Sequence, residues 1–508
     1  MNSVPDRAVT DTGTPPRVVI VGAGISGLAC AHQLLGLARE RGAPLDLVIL
    51  EAGPRPGGVI ATERTDGFLL EGGPDCFISD KPWALDLCRR LGMDPEIIGT
   101  NPDLRRSFVA TRGRILPIPE GYQLMAPGRF LPFATSPILS LAGRLRAACD
   151  LVLPRGSARD DESLASFVRR RFGREMLEAL AQPLAAGIYN ADPEELSLRA
   201  TMPRFPDLER KHRSVILGLW RARRQAGGGG RGTSGARYSL FVTLRQGVQM
   251  LVDRLTGGLP AGALHCGVRV TRIERGPDGP DRRWRVVLEG GAPIEADAVV
   301  LAMPARASAP IVRGGDQRLA ALLAAIPYGH SMVVNLAYRR QDVPHPLDGF
   351  GVVVPRREAR TLFACSFSSV KFEGRAPGGM VLLRAFVNSP ETAAPGAASP
   401  AAGAPDPDRL EREARDDLRR ILGITAAPVL ARTWIHLGSM AQYAVGHLVR
   451  VAAIEEAVRP HAGLALAGNG FHGSGVPDCV RSGERAAAAV AAHLADRSRW
   501  YPVRASTA

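Results

Sequence analysis

The chain has 508 residues, 45% of them hydrophobic and 22% charged, a globular composition too long for one core, which predicts two or three domains. Its formal charge is +14, and 61 of its 64 basic residues are arginine, the exceptions being Lys81, Lys211 and Lys371. With no aromatic-studded basic module and no zinc spacing, this excess excludes nucleic acid as the partner and leaves an anionic membrane face or an acidic small molecule.

Seven scattered cysteines, odd in number and without a C-x-x-C pair, predict a reduced, cytoplasmic setting. Residues 1–16 are polar, lack a signal pattern and read as a floppy tail, as do residues 496–508. The apolar stretch 18–38 is rejected as a membrane span, because it holds Gly22, Gly24 and Gly27 at a functional spacing along with His32 and Gln33.

The first predicted element is a buried strand, Arg17–Val21, running into Gly22-Ala23-Gly24-Ile25-Ser26-Gly27. Helical spacing follows over 28–41, then a second buried strand at 47–50 ending on Glu51. Gly22 permits the tight turn, Gly24 lets a pyrophosphate approach the backbone, and Gly27 lets helix and strand pack closely. The helix N-terminus offers free N–H groups to phosphate, and Glu51 suits a ribose diol. This unit binds a dinucleotide, FAD or NAD(H). The next stretch, Glu51-Ala52-Gly53-Pro54-Arg55-Pro56-Gly57-Gly58, chooses FAD, because its E-A-x-x-R-x-G-G run resembles the signature of amine-oxidase-like flavoproteins. Arg55 can pair with phosphate, and Gly57 and Gly58 let backbone pass beside the flavin ring.

Residues 114–220 read as mostly helical, with apolar periodicity over 142–151 and 162–186. Residues 122–140 are apolar and broken by proline, a composition that lines a greasy pocket, rests on a membrane surface or forms a buried loop. Residues 226–239, with four consecutive glycines, read as a flexible connection. A helix is expected at 248–255 and strands at 264–273, 283–288 and 298–301. Strands of a second sheet are expected at 333–337, 351–354 and 380–387, then a surface loop over 389–408 and a helix at 410–422. A last strand at 463–468 feeds Asn469 to Cys479 and an Ala-rich helix at 481–494. That glycine-rich turn suits the flavin edge that gathers negative charge on reduction, so both ends of the chain build one FAD domain. No nucleophile elbow and no H-E-x-x-H occurs, no metal is expected, and His212, His436, His447 and His472 read as structural. Such sparseness fits a flavin oxidase, whose cofactor carries the chemistry.

Five further runs are more selective: Glu71-Gly72-Gly73-Pro74-Asp75-Cys76-Phe77; Gly187-Ile188-Tyr189 with Leu196-Ser197; Lys211-His212-Arg213-Ser214-Val215-Ile216-Leu217-Gly218; Gln442-Tyr443-Ala444-Val445-Gly446-His447; and Gly473-Ser474-Gly475-Val476-Pro477-Asp478-Cys479. On these the chain resembles, over about residues 17–494, the oxygen-dependent protoporphyrinogen oxidases, whose bacterial type also takes coproporphyrinogen III. The resemblance implies an α/β fold of three interleaved parts: a Rossmann-type FAD domain (17–104, 240–309 and 440–495), a mixed-sheet substrate domain (105–113 and 310–439) and a helical, membrane-associating domain (114–239). It implies FAD contacts at Gly22 to Gly27, Glu51, Ala52, Arg55, Gly58, Val59, Gly73, Pro74, Asp75, Cys76, Val268 (through its backbone), Trp434, Asn469, Ser474, Gly475 and Val476. It implies a porphyrinogen held over the flavin by Val353, Phe367 and Phe386, with O2 as acceptor and peripheral contact with the inner membrane face; the oligomeric state is open, a homodimer being one candidate. Protoporphyrinogen IX is the expected substrate and coproporphyrinogen III the alternative. Three two-electron turns would complete the six-electron oxidation and yield H2O2; no protein base is identified. Some relatives place an arginine just before the aromatic of Arg105-Arg106-Ser107-Phe108. Here Ser107 stands there, so Arg105 and Arg106 are the propionate candidates and the number of carboxylates recognised is open. Other readings are an amine oxidase or carotenoid desaturase, against which the Lys-His-Arg-Ser run argues, and a non-catalytic FAD-fold carrier, against which the two intact flavin segments argue.

Overall fold

The computed structural model describes residues 15–156, 161–225, 240–276, 283–388 and 405–496. The expected connection at 226–239, most of the loop at 389–408 and nearly all of both tails lie outside the described residues.

Two sheets organise the chain. The first is parallel, in the order Leu264–Cys266, Asp46–Glu51, Arg17–Val21, Ala298–Leu301, Leu464–Leu466. Its two central strands, Arg17–Val21 and Ala298–Leu301, are short β-branched runs buried on both faces, as a parallel sheet between helical layers requires. The helices Ile25–Arg41 and Val476–Asp496 pack on it at very close range. A Cβ at Gly483 would lie 2.1 Å from the Ser26 carbonyl oxygen, so a glycine is needed where the two helices meet. The expected strand at 264–273 is two strands, Leu264–Cys266 and Val270–Arg275, broken at Gly267, whose φ is 74°. The second of these belongs to a separate three-stranded antiparallel layer.

The second sheet has seven strands in the order Leu430–Ala441, Tyr328–Arg339, Met380–Val387, Leu362–Ser366, Gly351–Val353, Phe108–Thr111, Arg114–Pro117. It is mixed because Gly351–Val353 runs parallel to Phe108–Thr111 while its other pairings are antiparallel. Along its central strands the side chains alternate. Met332, Val334, Leu336, Leu383 and Ala385 pack into one core with the helix Pro407–Leu422. Asn335, Arg384 and Phe386 point the other way, toward the cofactor domain and the helical region.

The helical reading of 114–220 needs correction at its start. Arg114–Pro117 is the edge strand of the second sheet, and Tyr122–Gln123 with Ala126–Pro127 forms a small hairpin. The expected boundary at residue 114 therefore cuts a β-hairpin whose turn is Arg112-Gly113, both at positive φ. From 130 onward the segment is helical. The long periodicity at 162–186 is one helix, Leu164–Phe172, ended by Gly173, followed by a wider turn over Leu177–Ala181 that runs into the helix Gln182–Tyr189.

Candidate functional site

The dinucleotide unit forms as its spacing requires. Gly22 takes φ 105°, and a Cβ there would lie 2.6 Å from the Ala302 carbonyl oxygen on the neighbouring strand. A Cβ on Gly27 would lie 2.0 Å from the Gly22 oxygen. At Gly24 the opposite holds: a Cβ would meet nothing within 4 Å, so open space lies beside the backbone where a pyrophosphate is expected. Ala23, Ile25 and Ser26 are buried around this turn. Glu51 accepts from the Ala23 amide (2.9 Å) and the Gly53 amide (2.7 Å), which fixes its carboxylate at the sheet's C-terminal edge beside Ala52. Its carbonyl accepts from the Val268 amide (2.9 Å), which brings that backbone to the same edge. These residues fit an adenine dinucleotide: a ribose acceptor, an open glycine and a helix N-terminus stand in sequence along one edge.

Arg55 is placed differently from the phosphate-pairing expectation. Its guanidinium donates to the carbonyls of Ile60 (2.7 Å), Pro56 (3.0 Å) and Gly58 (3.0 Å), so it braces its own loop. The Gly57 amide donates to the Ala23 carbonyl (2.8 Å), laying that loop along the dinucleotide turn. Gly73 packs beneath it: a Cβ would lie 1.9 Å from the Val59 carbonyl oxygen.

The strand Phe68–Glu71 and the residues after it form the seam between the two sheets. A Cβ on Gly72 would lie 2.6 Å from the Trp434 ring. Asn335 Nδ2 donates to the Glu71 carbonyl (3.0 Å), and His436 Nε2 to the Gly72 carbonyl (2.9 Å). Arg384 Nε donates to the Glu71 carbonyl (3.2 Å), and its Nη2 to the Gly73 carbonyl. Next comes Pro74, and then Asp75, whose carboxylate faces Lys371 Nζ (3.1 Å) and Arg384 Nη1 (3.5 Å). Lys371 Nζ also lies 3.2 Å from Cys76 Sγ. Burial alone would raise Asp75, but Lys371 and then Arg384 outweigh it and hold the carboxyl well below its ordinary range. Burial pushes the Cys76 thiol up to about 12, so it stays protonated. Burial likewise lowers His436, aided by the charges of Arg55 and Arg384, and the ring is neutral at pH 7.

The C-terminal loop is held by one motif that sequence reasoning used only as a fingerprint. Tyr443 OH donates to the Asn469 carbonyl (2.7 Å) and accepts from the Gly473 amide (2.7 Å). His447 stacks on Tyr443 with centroids 3.9 Å apart and bonds to the Phe471 carbonyl (2.9 Å). Asn469 Nδ2 donates to the Ser439 carbonyl (2.7 Å). Together they shape the turn through Ser474 and Gly475, and the helix begins at Val476, five residues earlier than expected. That helix end also holds Asp478, which would oppose negative charge, but Lys81 Nζ lies 2.7 Å from both of its oxygens and offsets it.

Beside the seam lies a small apolar wall of Ala186, Val353, Phe363, Ala364 and Phe386, with Val353 and Phe386 incompletely covered. Gly187 faces it, 3.8 Å from Val353 and 4.0 Å from Ala364 by its would-be Cβ. The Arg384 guanidinium sits over the Phe386 ring at 4.6 Å, so this wall is continuous with the seam. Phe367 does not reach it. That side chain is 0% exposed in the core on the sheet's other face, beside His345, and Phe363 takes the expected place. The expectation rested on the resemblance alone; here the chain crosses from one face to the other around the irregularity between Leu362 and Ala364, which leaves Phe363 and Ala364 on the wall and Phe367 behind it. Arg106 pairs with Asp348 (3.1 Å) and Arg105 is exposed, both at the entry to the strand Phe108–Thr111.

The Lys-His-Arg-Ser run has no part in this site. Ser214 Oγ donates to Asp150 (2.6 Å), the Ile216 amide donates to the same oxygen (2.9 Å), and the Arg213 carbonyl accepts from Arg171 (2.8 Å). It closes the helical core around one buried arginine.

Comparison with known proteins agrees with this geometry. The model of the flavin containing amine oxidoreductases matches residues 25–491. The chain belongs to that family. It is an FAD-dependent oxidoreductase. It is 35% identical to the coproporphyrinogen III oxidase of Propionibacterium freudenreichii subsp. freudenreichii, covering 96% of this chain and 94% of the relative. It is 30% identical to the protoporphyrinogen oxidase of Bos taurus, covering 93% of this chain and 98% of that one. A crystal structure from Exiguobacterium sp. 255-15 superposes with a TM-score of 0.80 at 29% identity, covering 95% of this chain and 99% of the other.

Proposed function

We propose that this chain oxidises a porphyrinogen to the porphyrin, with O2 as electron acceptor and H2O2 as by-product. The observation that carries the reading is the apolar wall of Val353, Phe363 and Phe386 joined through Arg384 to the glycine strand of the cofactor domain. A flat, largely apolar macrocycle stacks against such a wall, and bound FAD would carry the redox step. Bound FAD supplies the two-electron acceptor. Glu51, Gly22 to Gly27, Gly58, Val59, Gly73 to Cys76, Val268, Trp434, Asn469 and Ser474 to Val476 position it. Val353 and Phe386 press the macrocycle toward it and exclude water, and Arg105 and Arg106 are the propionate candidates.

The motifs point to protoporphyrinogen IX. The higher identity to a coproporphyrinogen III oxidase favours that tetracarboxylate as a second substrate. Steady-state porphyrin fluorescence with each substrate, coupled to peroxide detection, tests the reading: porphyrin should appear with three peroxides per macrocycle. Turnover of an amine with none of either porphyrinogen would refute it.

A peripheral membrane contact is part of this proposal. Phe130, Leu131, Leu141, Leu145 and Val152 are each more than 60% exposed on the helices Phe130–Ala134 and Leu141–Ala148 and just beyond, with Arg129 and Arg144 nearby. By contrast Met125, Ala126, Phe133, Ile138 and Leu139 of the expected greasy segment are buried. Among the described residues no helix is long and apolar enough to cross a membrane. Sedimentation with anionic vesicles should carry the protein down and release the Leu131→Ser, Leu145→Ser double variant; sedimentation velocity checks the candidate homodimer.

A further inference from the structure

Lysine is nearly absent from this chain, three residues against 61 arginines. Two of the three stand on carboxylates at the cofactor site, Lys81 on Asp478 and Lys371 on Asp75. The two sites differ in balance. Lys81 and Asp478 form a one-to-one pair, with the lysine side chain 39% exposed. At Asp75 a single carboxylate faces two buried cations, Lys371 with its side chain 13% exposed and Arg384 with its side chain 4% exposed. Among the described residues the other titratable group within bonding reach is Cys76, a neutral thiol, and the buried Glu71 and Arg375 close by add one carboxyl and one further cation. The cluster therefore carries one positive charge in excess, shielded from water and fixed against the backbone of Gly73.

The Lys371 ammonium occupies a site made for a small cation. It lies 3.1 Å from Asp75 Oδ2, 3.2 Å from Cys76 Sγ, 5.0 Å from the Phe372 ring centre and 5.6 Å from that of Phe241. A planar guanidinium is wider and would have to displace one of these walls. That accounts for a lysine here in a chain that otherwise uses arginine.

We propose that Lys371 is an electrostatic positioning residue for the redox step: its ammonium, held by Asp75 and backed by Arg384, raises the reduction potential of the bound flavin. This rests on the flavin reading above. When a flavin takes two electrons and one proton it gains a negative charge that the oxidised form lacks. A buried excess cation behind the Gly73 to Cys76 segment favours that state over the oxidised one, and so favours transfer from substrate. Lys371 touches neither bound partner in this account and acts through its field.

The test is dye-equilibrated reduction of the FAD-loaded wild type, Lys371→Met and Lys371→Gln, with sulfite affinity as a second reading of flavin electrophilicity. Removing the charge should lower the midpoint potential and weaken sulfite binding by about tenfold, consistent with loss of one partly screened charge. FAD content and far-UV circular dichroism should stay at wild-type values. An unchanged potential and sulfite affinity in either FAD-loaded variant overturns the proposal while leaving the porphyrinogen reading intact. Folded variants that arrive without FAD also overturn it, since the cluster would then be a binding device. If wild-type flavin is not reduced by porphyrinogen, the functional reading fails, and the potentials still decide the role of Lys371.

Discussion

Two buried charge clusters sit in different parts of the molecule and are built from the same ingredients. In the helical region Arg171 is 1% exposed at its side chain and meets Asp150 (2.6 Å) and Glu209 (3.3 Å). Its remaining donors go to the carbonyls of Asp150, Pro154 and Arg213. Arg170 adds bonds to Glu209 and Glu162, so three carboxylates face two cations. At the seam, Asp75 is the carboxylate that pairs with both Lys371 and Arg384. Each cluster leaves one charge in excess, of opposite sign, and what separates them is place: the first is closed inside the helical core, while the second lies beside the cofactor segment, where its field falls on whatever binds there. The first lies under one of the five selective runs of the sequence, and the second surrounds a lysine that no motif marked.

The largest effect expected from this contrast is on stability in the helical region. Arg171→Leu leaves Asp150 buried without its cation and should lower the unfolding free energy by about 3–5 kcal/mol. A denaturant midpoint would measure this, and a variant as stable as wild type would show that the cluster is not closed as described. In the seam, Glu71 sharpens the comparison from the other side. Burial pushes its carboxyl up to about 7 from the ordinary 4.5, against the pull of Thr62 and the Val248 amide. Unfolded, the group ionises above its ordinary value; folded, it keeps its proton until about 7. Stability therefore declines as pH rises between the two and stays lowered above. Glu71→Gln should gain on the order of 3 kcal/mol above pH 7 and nothing below pH 4.5. Melting curves across that range would show a flatter pH profile for the variant; parallel profiles would contradict the shift. The smallest effect is Ser214→Ala. It removes one bond to Asp150 and the cap on the Leu217 amide (3.1 Å), for a loss of about 1–2 kcal/mol with flavin spectrum and turnover unchanged. A loss of turnover at full stability would restore the Lys-His-Arg-Ser run to the active site.

The cofactor half was legible because its information is local. Gly22, Gly24, Gly27 and Glu51 act through backbone geometry within about thirty residues, and a strand–turn–helix pattern leaves few other outcomes. The seam was not, because its partners lie far apart in sequence: Asn335, Arg384, Trp434 and His436 reach Glu71 to Gly73 across more than 260 residues. Trp434 alone among them was anticipated, through resemblance. One signal for Lys371 was present and unread, the scarcity of lysine itself. Phe367, placed by resemblance alone, lies behind the wall because a register irregularity turns the strand, and the edge strand Arg114–Pro117 was missed because four residues broken by a Pro-Ile-Pro run carry little periodicity.

The central claim is that this flavoprotein takes electrons from a porphyrinogen. Anaerobic mixing of the FAD-loaded protein with coproporphyrinogen III, and separately with protoporphyrinogen IX, tests it most directly. The account predicts that the flavin absorbance bleaches with at least one of them, then recovers with porphyrin fluorescence when oxygen is admitted. A yellow protein that bleaches with neither would contradict it.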